Sequence, residues 1–209
     1  MKFDRLAPHY DWLEALTAGD KLQRARTAWL EELSKARRML SAGEGHGRFA
    51  AACRARFPEA DLTCVEASPR MLARAKQRVG PVGSRTQWVC ADVLSWTPPE
   101  EKFDAVVTCF FLDCFPPETL AAVVAKLAAC TVPGAVWLVT DFALPPDGPS
   151  RRRAQLIHAL MYALFRLAVD LPARRLTPPD DLLRAHGFHL VGRRESEWGL
   201  LRSELWRRS

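Results

Sequence analysis

Apolar residues along the chain gather into short buried runs separated by longer amphipathic stretches, the pattern of strands alternating with helices. A helical run over residues 21–35 comes first, with Leu22, Ala25, Trp29, Leu30 and Leu33 on one face. Met39-Leu40-Ser41 then predicts a strand that runs into a turn and a helix ending near Arg56. Residues 61–66 read as a second strand, and Ser68-Pro69 opens a helix to about Val79 with a hydroxyl cap followed by proline. Further strands are predicted over 86–90, 103–108 (extended by the apolar residues 109–112 and closed by Asp113) and 135–141. A helix over 117–129 and a turn at Pro133-Gly134 lie between the last two. Prolines at 145, 146 and 149 break the pattern before a strongly apolar helix over 150–170. Breaks at Pro172 and Pro178-Pro179, a helix over 180–186, and strands over 187–191 and 200–206 complete the chain.

Five β units alternating with helices predict a parallel sheet covered on both faces, and the last two strands form an antiparallel hairpin. The expected fold class is therefore α/β, a doubly wound, seven-stranded, mostly parallel sheet with a C-terminal antiparallel hairpin. One domain is expected over residues 1–209, made of a helical cover (1–36), a core (37–141), an apolar lid (142–187) and the final hairpin (188–209). Ligands of such sheets bind at the C-terminal ends of the strands, so Ser41, Glu66, Asp92, Asp113 and Asp141 are expected to converge on one crevice.

Composition narrows the class. The 48% hydrophobic content of this 209-residue chain is that of an ordinary globular domain. No uncharged apolar run is long enough to span a bilayer and the N-terminus lacks a signal-peptide core, so a soluble protein is expected. The six cysteines form no CxxC pair and fall inside apolar patterns, which points to a reducing cytoplasm; no structural zinc site is expected at Cys109 and Cys114, and no metal elsewhere. The formal charge of +6 comes from arginine clusters such as Arg151-Arg152-Arg153. No nucleic-acid module accompanies them, so they read as solvated surface and nucleic acid is disfavoured as a partner.

Gly43-Glu44-Gly45-His46-Gly47 is the candidate site. Alternating glycines after a strand let the backbone turn sharply and let a ligand approach its N–H groups. Glu66, about 20 residues past the glycines at the end of the next strand, is placed to accept two hydrogen bonds from a ribose diol. Arg48 stands where a GxGxxG dinucleotide motif wants its last glycine, and no Gly-Lys-Ser/Thr follows, so dinucleotide and P-loop sites are both disfavoured.

The set resembles the class I S-adenosylmethionine-dependent methyltransferase superfamily, whose markers are GxGxG after strand one, an acid after strand two, and an acid with an apolar neighbour after strand three. Here these are Gly43 to Gly47, Glu66, and Asp92-Val93. The resemblance implies a Rossmann-like methyltransferase fold that uses S-adenosyl-L-methionine. It implies that the backbone of Gly43, Glu44, Gly45 and Gly47 lies against the methionine and ribose portions. Glu66 would hold the ribose hydroxyls, Asp92 the adenine amino group, and Ala67 and Val93 the adenine ring. Ser41 departs from the pattern, because the family commonly has an acid there to help bind the methionine amino group. Phe3-Asp4-x-x-Ala7-x-x-Tyr10-Asp11 is similar to the opening of the ubiquinone/menaquinone C-methyltransferase group, and Tyr10 is counted with the cofactor-binding residues.

The expected activity is methyl transfer to a small, hydrophobic or lipid-like acceptor. Asp113 and Asp141 are the candidate general bases, since acids at the ends of strands four and five would face the methyl group. His158, Met161, Tyr162 and Phe165 on the apolar helix are candidate substrate contacts, although a histidine or tyrosine on such a helix is more often core packing. Peripheral membrane contact through Arg151-Arg152-Arg153, or burial in a homodimer instead of a monomer, competes with the pocket reading of that helix. A non-catalytic cofactor-binding module and a nucleic-acid methyltransferase are the alternative functions.

Overall fold

The computed structural model describes residues 20–83, 85–169, 173 and 176–209, with the backbone alone for residues 82, 83 and 164–169. Seven strands form one sheet: β1 (Arg38–Ala42), β2 (Asp61–Glu66), β3 (Thr86–Cys90), β4 (Phe103–Cys109), β5 (Thr131–Phe142), β6 (Phe188–Ser196) and β7 (Leu201–Arg208). Their order is β3-β2-β1-β4-β5-β7-β6. The first five pair in parallel, and β7 pairs antiparallel with both β5 and β6. The direction of winding reverses between β1 and β4, which is where a doubly wound sheet opens a crevice.

The period of two along each strand divides the core. Leu40, Val106, Trp137 and Trp206 face one layer, packed with α4 (Pro117–Ala129) and α6 (Asp180–Ala185) through Leu120, Val124 and Leu183. Met39, Ala105, Leu138 and Leu205 face the other, against Phe49, Ala50 and Cys53 of α2 (Arg48–Arg56). Helix α3 (Pro69–Val79) starts as the sequence requires, with Ser68 Oγ accepting from Met71 N at 3.1 Å and proline in the first turn.

Three expectations are corrected. The predicted helix over 21–35 is split into α1 (Asp20–Arg26) and a 3-10 turn (Leu30–Leu33). Tertiary contact overrides helix periodicity here: the Trp29 indole donates to Ser203 O at 3.0 Å on β7, and the Arg194 guanidinium lies 4.2 Å above its ring. Pro133-Gly134 is not a turn but part of β5, where the register against β4 shifts in a bulge between Phe103 and Ala105. Strand β4 stops at Cys109 instead of continuing to Leu112; Phe110 turns to φ 53° and a 3-10 turn follows over Leu112–Cys114.

Helix α5 (Gly148–Val169) confirms the apolar helix, and its described side chains bury a narrow stripe. Ala154, His158 and Tyr162, four residues apart, are buried, while Leu156 and Leu160 are 68% and 72% exposed. Among the described residues no helix is long and apolar enough to cross a membrane. The segment containing Tyr10 and the side chain of Phe165 lie outside what is described.

Candidate functional site

The turn between β1 and α2 is built from residues in the left-handed region, Gly43, Gly45 and Gly47 having φ of 69°, 65° and 87°. Two of these glycines serve different ends. A Cβ on Gly47 would stand 2.6 Å from the Cα of Ala75, so this glycine lets α2 and α3 approach each other. A Cβ on Gly45 would meet nothing within 4 Å, so this glycine leaves the turn open to a ligand.

That opening belongs to a cleft of about 980 Å³, part of it open to solvent, at the crossover between β1 and β4. Ser41, Gly43, Glu44, Gly45, Glu66, Ala67, Asp92 and Val93 all line it. The ends of β1, β2 and β3 and the glycine turn therefore meet as the sequence predicts. Glu66 is buried, with Oε2 accepting from Gly45 N at 2.9 Å and Oε1 accepting from Ser68 N at 2.8 Å. These two bonds to backbone N–H groups fix the orientation of the carboxylate at the cleft. Asp92 is exposed, and its Oδ1 accepts from Leu94 N at 2.8 Å. Val93, Met71, Phe111 and Phe115 give the cleft apolar walls.

The carboxylate that Ser41 lacks is supplied three residues later. Ser41 Oγ donates to Glu44 Oε2, and Ala50 N donates to Oε1 at 2.9 Å. Burial pushes the Glu44 carboxyl up to about 7, against the pull of these two donors and of the Arg26 guanidinium. Arg26 itself is buried, lines the cleft and sits 5.0 Å above the Phe110 ring. Sequence reasoning missed Arg26, Met71, Phe111 and Phe115 as lining residues, and it counted Glu44 for its backbone alone. The spacing of an acid within the glycine turn, three residues after Ser41, is the signal that could have found the Glu44 side chain.

Asp113 and Asp141 are placed differently from the expectation of a single crevice. They line a second cavity of about 540 Å³, part of it open to solvent, with Val139, Phe142, Leu144, Leu176, Thr177, Asp180, Arg202 and Glu204. The turn from Phe110 to Cys114 separates the two spaces: Phe111 and Cys114 line the cleft, while Phe111 N donates to Asp141 Oδ1 at 3.1 Å and the Cys114 thiol donates to Asp113 Oδ1 at 3.6 Å. Burial pushes Asp113 up to about 6 and Asp141 well above the usual carboxylate range, each biased by the other.

Two of the candidate substrate contacts on α5, His158 and Tyr162, pack against residues of this second region. Tyr162 donates its hydroxyl to the backbone carbonyl of Asp113 at 3.1 Å, and His158 meets Phe142 and Tyr162 edge-on at 5.9 Å and 6.4 Å. Burial lowers the His158 pKa, so its ring is held neutral. His158, Met161 and Tyr162 line neither the cleft nor the second cavity.

Comparison with known proteins agrees with this architecture. The family described as "Methyltransferase domain" matches residues 39–134, from the first strand through the bulge of β5. A demethylmenaquinone methyltransferase of Thermus thermophilus is 32% identical over 148 residues, which is 70% of this chain and 66% of that protein. The ubiquinone/menaquinone biosynthesis C-methyltransferase of Syntrophotalea carbinolica is 30% identical over 147 residues, 69% of this chain and 61% of that one. The chain thus spans about two thirds of the length of these relatives. Among solved structures, the Burkholderia thailandensis 1,6-didemethyltoxoflavin-N1-methyltransferase superposes with a TM-score of 0.70 at 20% identity, over 99% of this chain and 86% of that one. With the glycine turn, the strand-end acids and these relatives in agreement, the chain belongs to the class I S-adenosylmethionine-dependent methyltransferase superfamily.

Proposed function

We propose that this chain transfers the methyl group of S-adenosylmethionine to a small apolar acceptor of the quinone or lipid-like kind. The observation that carries the cofactor half of this reading is Glu66, held by two backbone N–H groups beneath an open glycine turn. A carboxylate held in this orientation can accept from the two hydroxyls of a ribose. Glu44, joined to Ser41, offers a carboxylate to the amino group of the methionine moiety. Asp92 keeps one oxygen for the adenine amino group, and Ala67, Met71 and Val93 offer the adenine an apolar seat.

When bound, the cofactor supplies an electrophilic methyl on a sulfonium, and the displaced sulfur keeps the electron pair. The chain's own part is to hold the acceptor in line and keep water out. Phe110, Phe111 and Phe115 wall the cleft on the side of β4 and serve that purpose. Asp113 and Asp141 stand behind the turn that carries these rings, so this reading asks of them no contact with the methyl group. The acceptor class rests on the apolar aromatic wall and on two relatives named as quinone methyltransferases.

Titration calorimetry with S-adenosylhomocysteine, followed by incubation with S-adenosylmethionine and demethylmenaquinone, tests both halves. Saturable cofactor binding and a methylated quinone in the mass spectrum are expected. Cofactor binding without methylation of the quinone or of simpler aromatic acceptors would leave a binding module and sink the proposal.

A further inference from the structure

The second cavity is lined by residues with buried polar atoms that have no hydrogen-bond partner among the described residues. Asp141 is 93% buried, as its 7% exposure shows, and its Oδ2 has no hydrogen-bond donor among the described groups. Thr177 Oγ1, Asp180 Oδ2 and Arg202 Nε are likewise buried without a hydrogen bond among the described groups, the last two lying in long ion pairs at 3.9 Å and 3.8 Å. All four atoms belong to residues that line one space. A buried polar atom without a hydrogen bond is costly, so Asp141 Oδ2 and Thr177 Oγ1, beside two atoms held only by long ion pairs, mark a place built to receive polar contacts.

The charges there decide what would be received. From β7, Glu204 accepts from Arg193 Nε of β6 at 2.7 Å and from Trp206 Nε1 at 2.9 Å. From α6, Asp180 pairs with Arg193 at 2.9 Å and lies 3.9 Å from Arg202. Two guanidiniums thus answer Asp180 and Glu204, and Arg202 also faces Glu195 at 3.8 Å. Asp113, on the turn after β4, and Asp141, on β5, meet no cation among these groups; Tyr162 from α5 reaches only the Asp113 carbonyl. Among the described residues no cluster of His, Cys, Asp and Glu is arranged to hold a metal ion. An anion would face a surplus of carboxyl groups.

We propose that this cavity is a binding site for a small alkylammonium ion, its N–H groups directed at Asp141 and Asp113 and its carbon chain lying against Phe142, Leu144 and Leu176. Two adjacent carboxyls out of water carry a proton between them when no cation is present. An entering ammonium supplies the missing donors and positive charge, and it displaces that proton to solvent. The site is separated from the cofactor cleft by the Phe110-to-Cys114 turn and needs no methyl transfer to operate.

The test is calorimetric titration of the whole chain with ethanolammonium, with propionate and tetramethylammonium as controls. Saturable binding of ethanolammonium is expected, with neither control binding. Affinity should rise as pH increases from about 5 to 7, because the ligand then meets less competition from the carboxyl proton. Asp141→Asn should weaken binding about tenfold or more. Thr177→Val, which removes a hydroxyl at nearly constant volume, should weaken it about threefold while leaving S-adenosylhomocysteine affinity unchanged. If Asp141→Asn fails to fold, Thr177→Val decides. Equal binding of propionate, no saturable binding of ethanolammonium, or binding that neither substitution alters would overturn the proposal and leave a water-filled cavity.

Discussion

Glu66 Oε2 accepts the backbone N–H of Gly45 at 2.9 Å, so the acid at the end of β2 holds the crest of the turn that ends β1. One carboxylate thereby shapes the glycine turn and presents itself to the cleft. Glu66→Ala leaves two backbone donors without their acceptor and removes both contacts assigned to the ribose. Cofactor affinity should fall at least about tenfold. Calorimetry on the folded variant checks this, and an unchanged affinity would remove Glu66 from the cofactor site.

Glu44 makes a prediction about pH. Its folded-state carboxyl is raised to about 7 from 4.5, so between those values the folded chain holds a proton that the unfolded chain has lost. Stability from this group is therefore present below about 4.5 and declines as pH rises to about 7, by an amount of order 3 kcal/mol. Glu44→Gln should flatten that decline in denaturant titrations of the free protein. Cofactor binding should show the opposite trend, strengthening as pH rises through 7 in the parent and not in the variant, because only the ionised carboxylate attracts an ammonium group. A parent affinity that does not vary over this range would separate Glu44 from the amino group.

At Gly47 the fold and the site can be tested apart. A Cβ there would meet the Ala75 Cα at 2.6 Å and would have to adopt φ 87°. Gly47→Ala should cost roughly 2 to 4 kcal/mol, read as a lower denaturant midpoint. Ala75→Gly in the same chain relieves the contact with the Ala75 Cβ at 2.9 Å but not the backbone contact, so it should restore only a minor part of the loss.

The order of the elements was legible because each has its own signal. The Ser68-Pro69 cap, the alternating core runs of β1 and β4 and the glycine turn all form where local chemistry puts them. What escaped the sequence was decided by contacts distant along the chain. Trp29 ends a helix because its indole finds Ser203, 174 residues away. Phe110 and Phe111 leave the strand pattern to wall the cleft, and no period in the sequence marks that departure. The strand-end rule placed Glu66 and Asp92 correctly in the cleft, but it could not show that the same turn would carry Asp113 and Asp141 to its far side.

Tyr162 offers a direct measure of how α5 is held. Its hydroxyl donates to the Asp113 carbonyl at 3.1 Å from a buried position. Tyr162→Phe keeps the ring and removes the donor, so the carbonyl loses its partner. A loss of about 1 to 2 kcal/mol is expected in denaturant unfolding, with cofactor affinity unchanged because neither residue lines the cleft.

The leucines of the same helix should behave in the opposite way. Leu156 and Leu160 are 68% and 72% exposed, whereas Ala154, His158 and Tyr162 on the opposing stripe are at most 5% exposed. An apolar residue that folding leaves in water contributes little to stability, so its replacement by a polar one removes little. Leu156→Gln with Leu160→Gln should therefore change unfolding free energy by less than about 1 kcal/mol and leave S-adenosylhomocysteine binding intact. His158→Leu tests the buried stripe in the same assay. Both ring nitrogens of His158 are buried without a hydrogen bond among the described residues, and burial holds the ring neutral. An apolar side chain of similar size relieves that unmet polarity, so His158→Leu should be neutral or stabilising. A marked loss of stability in the double leucine variant would mean that the exposed face of α5 is covered in solution. A marked loss in His158→Leu would mean that its nitrogens have partners after all.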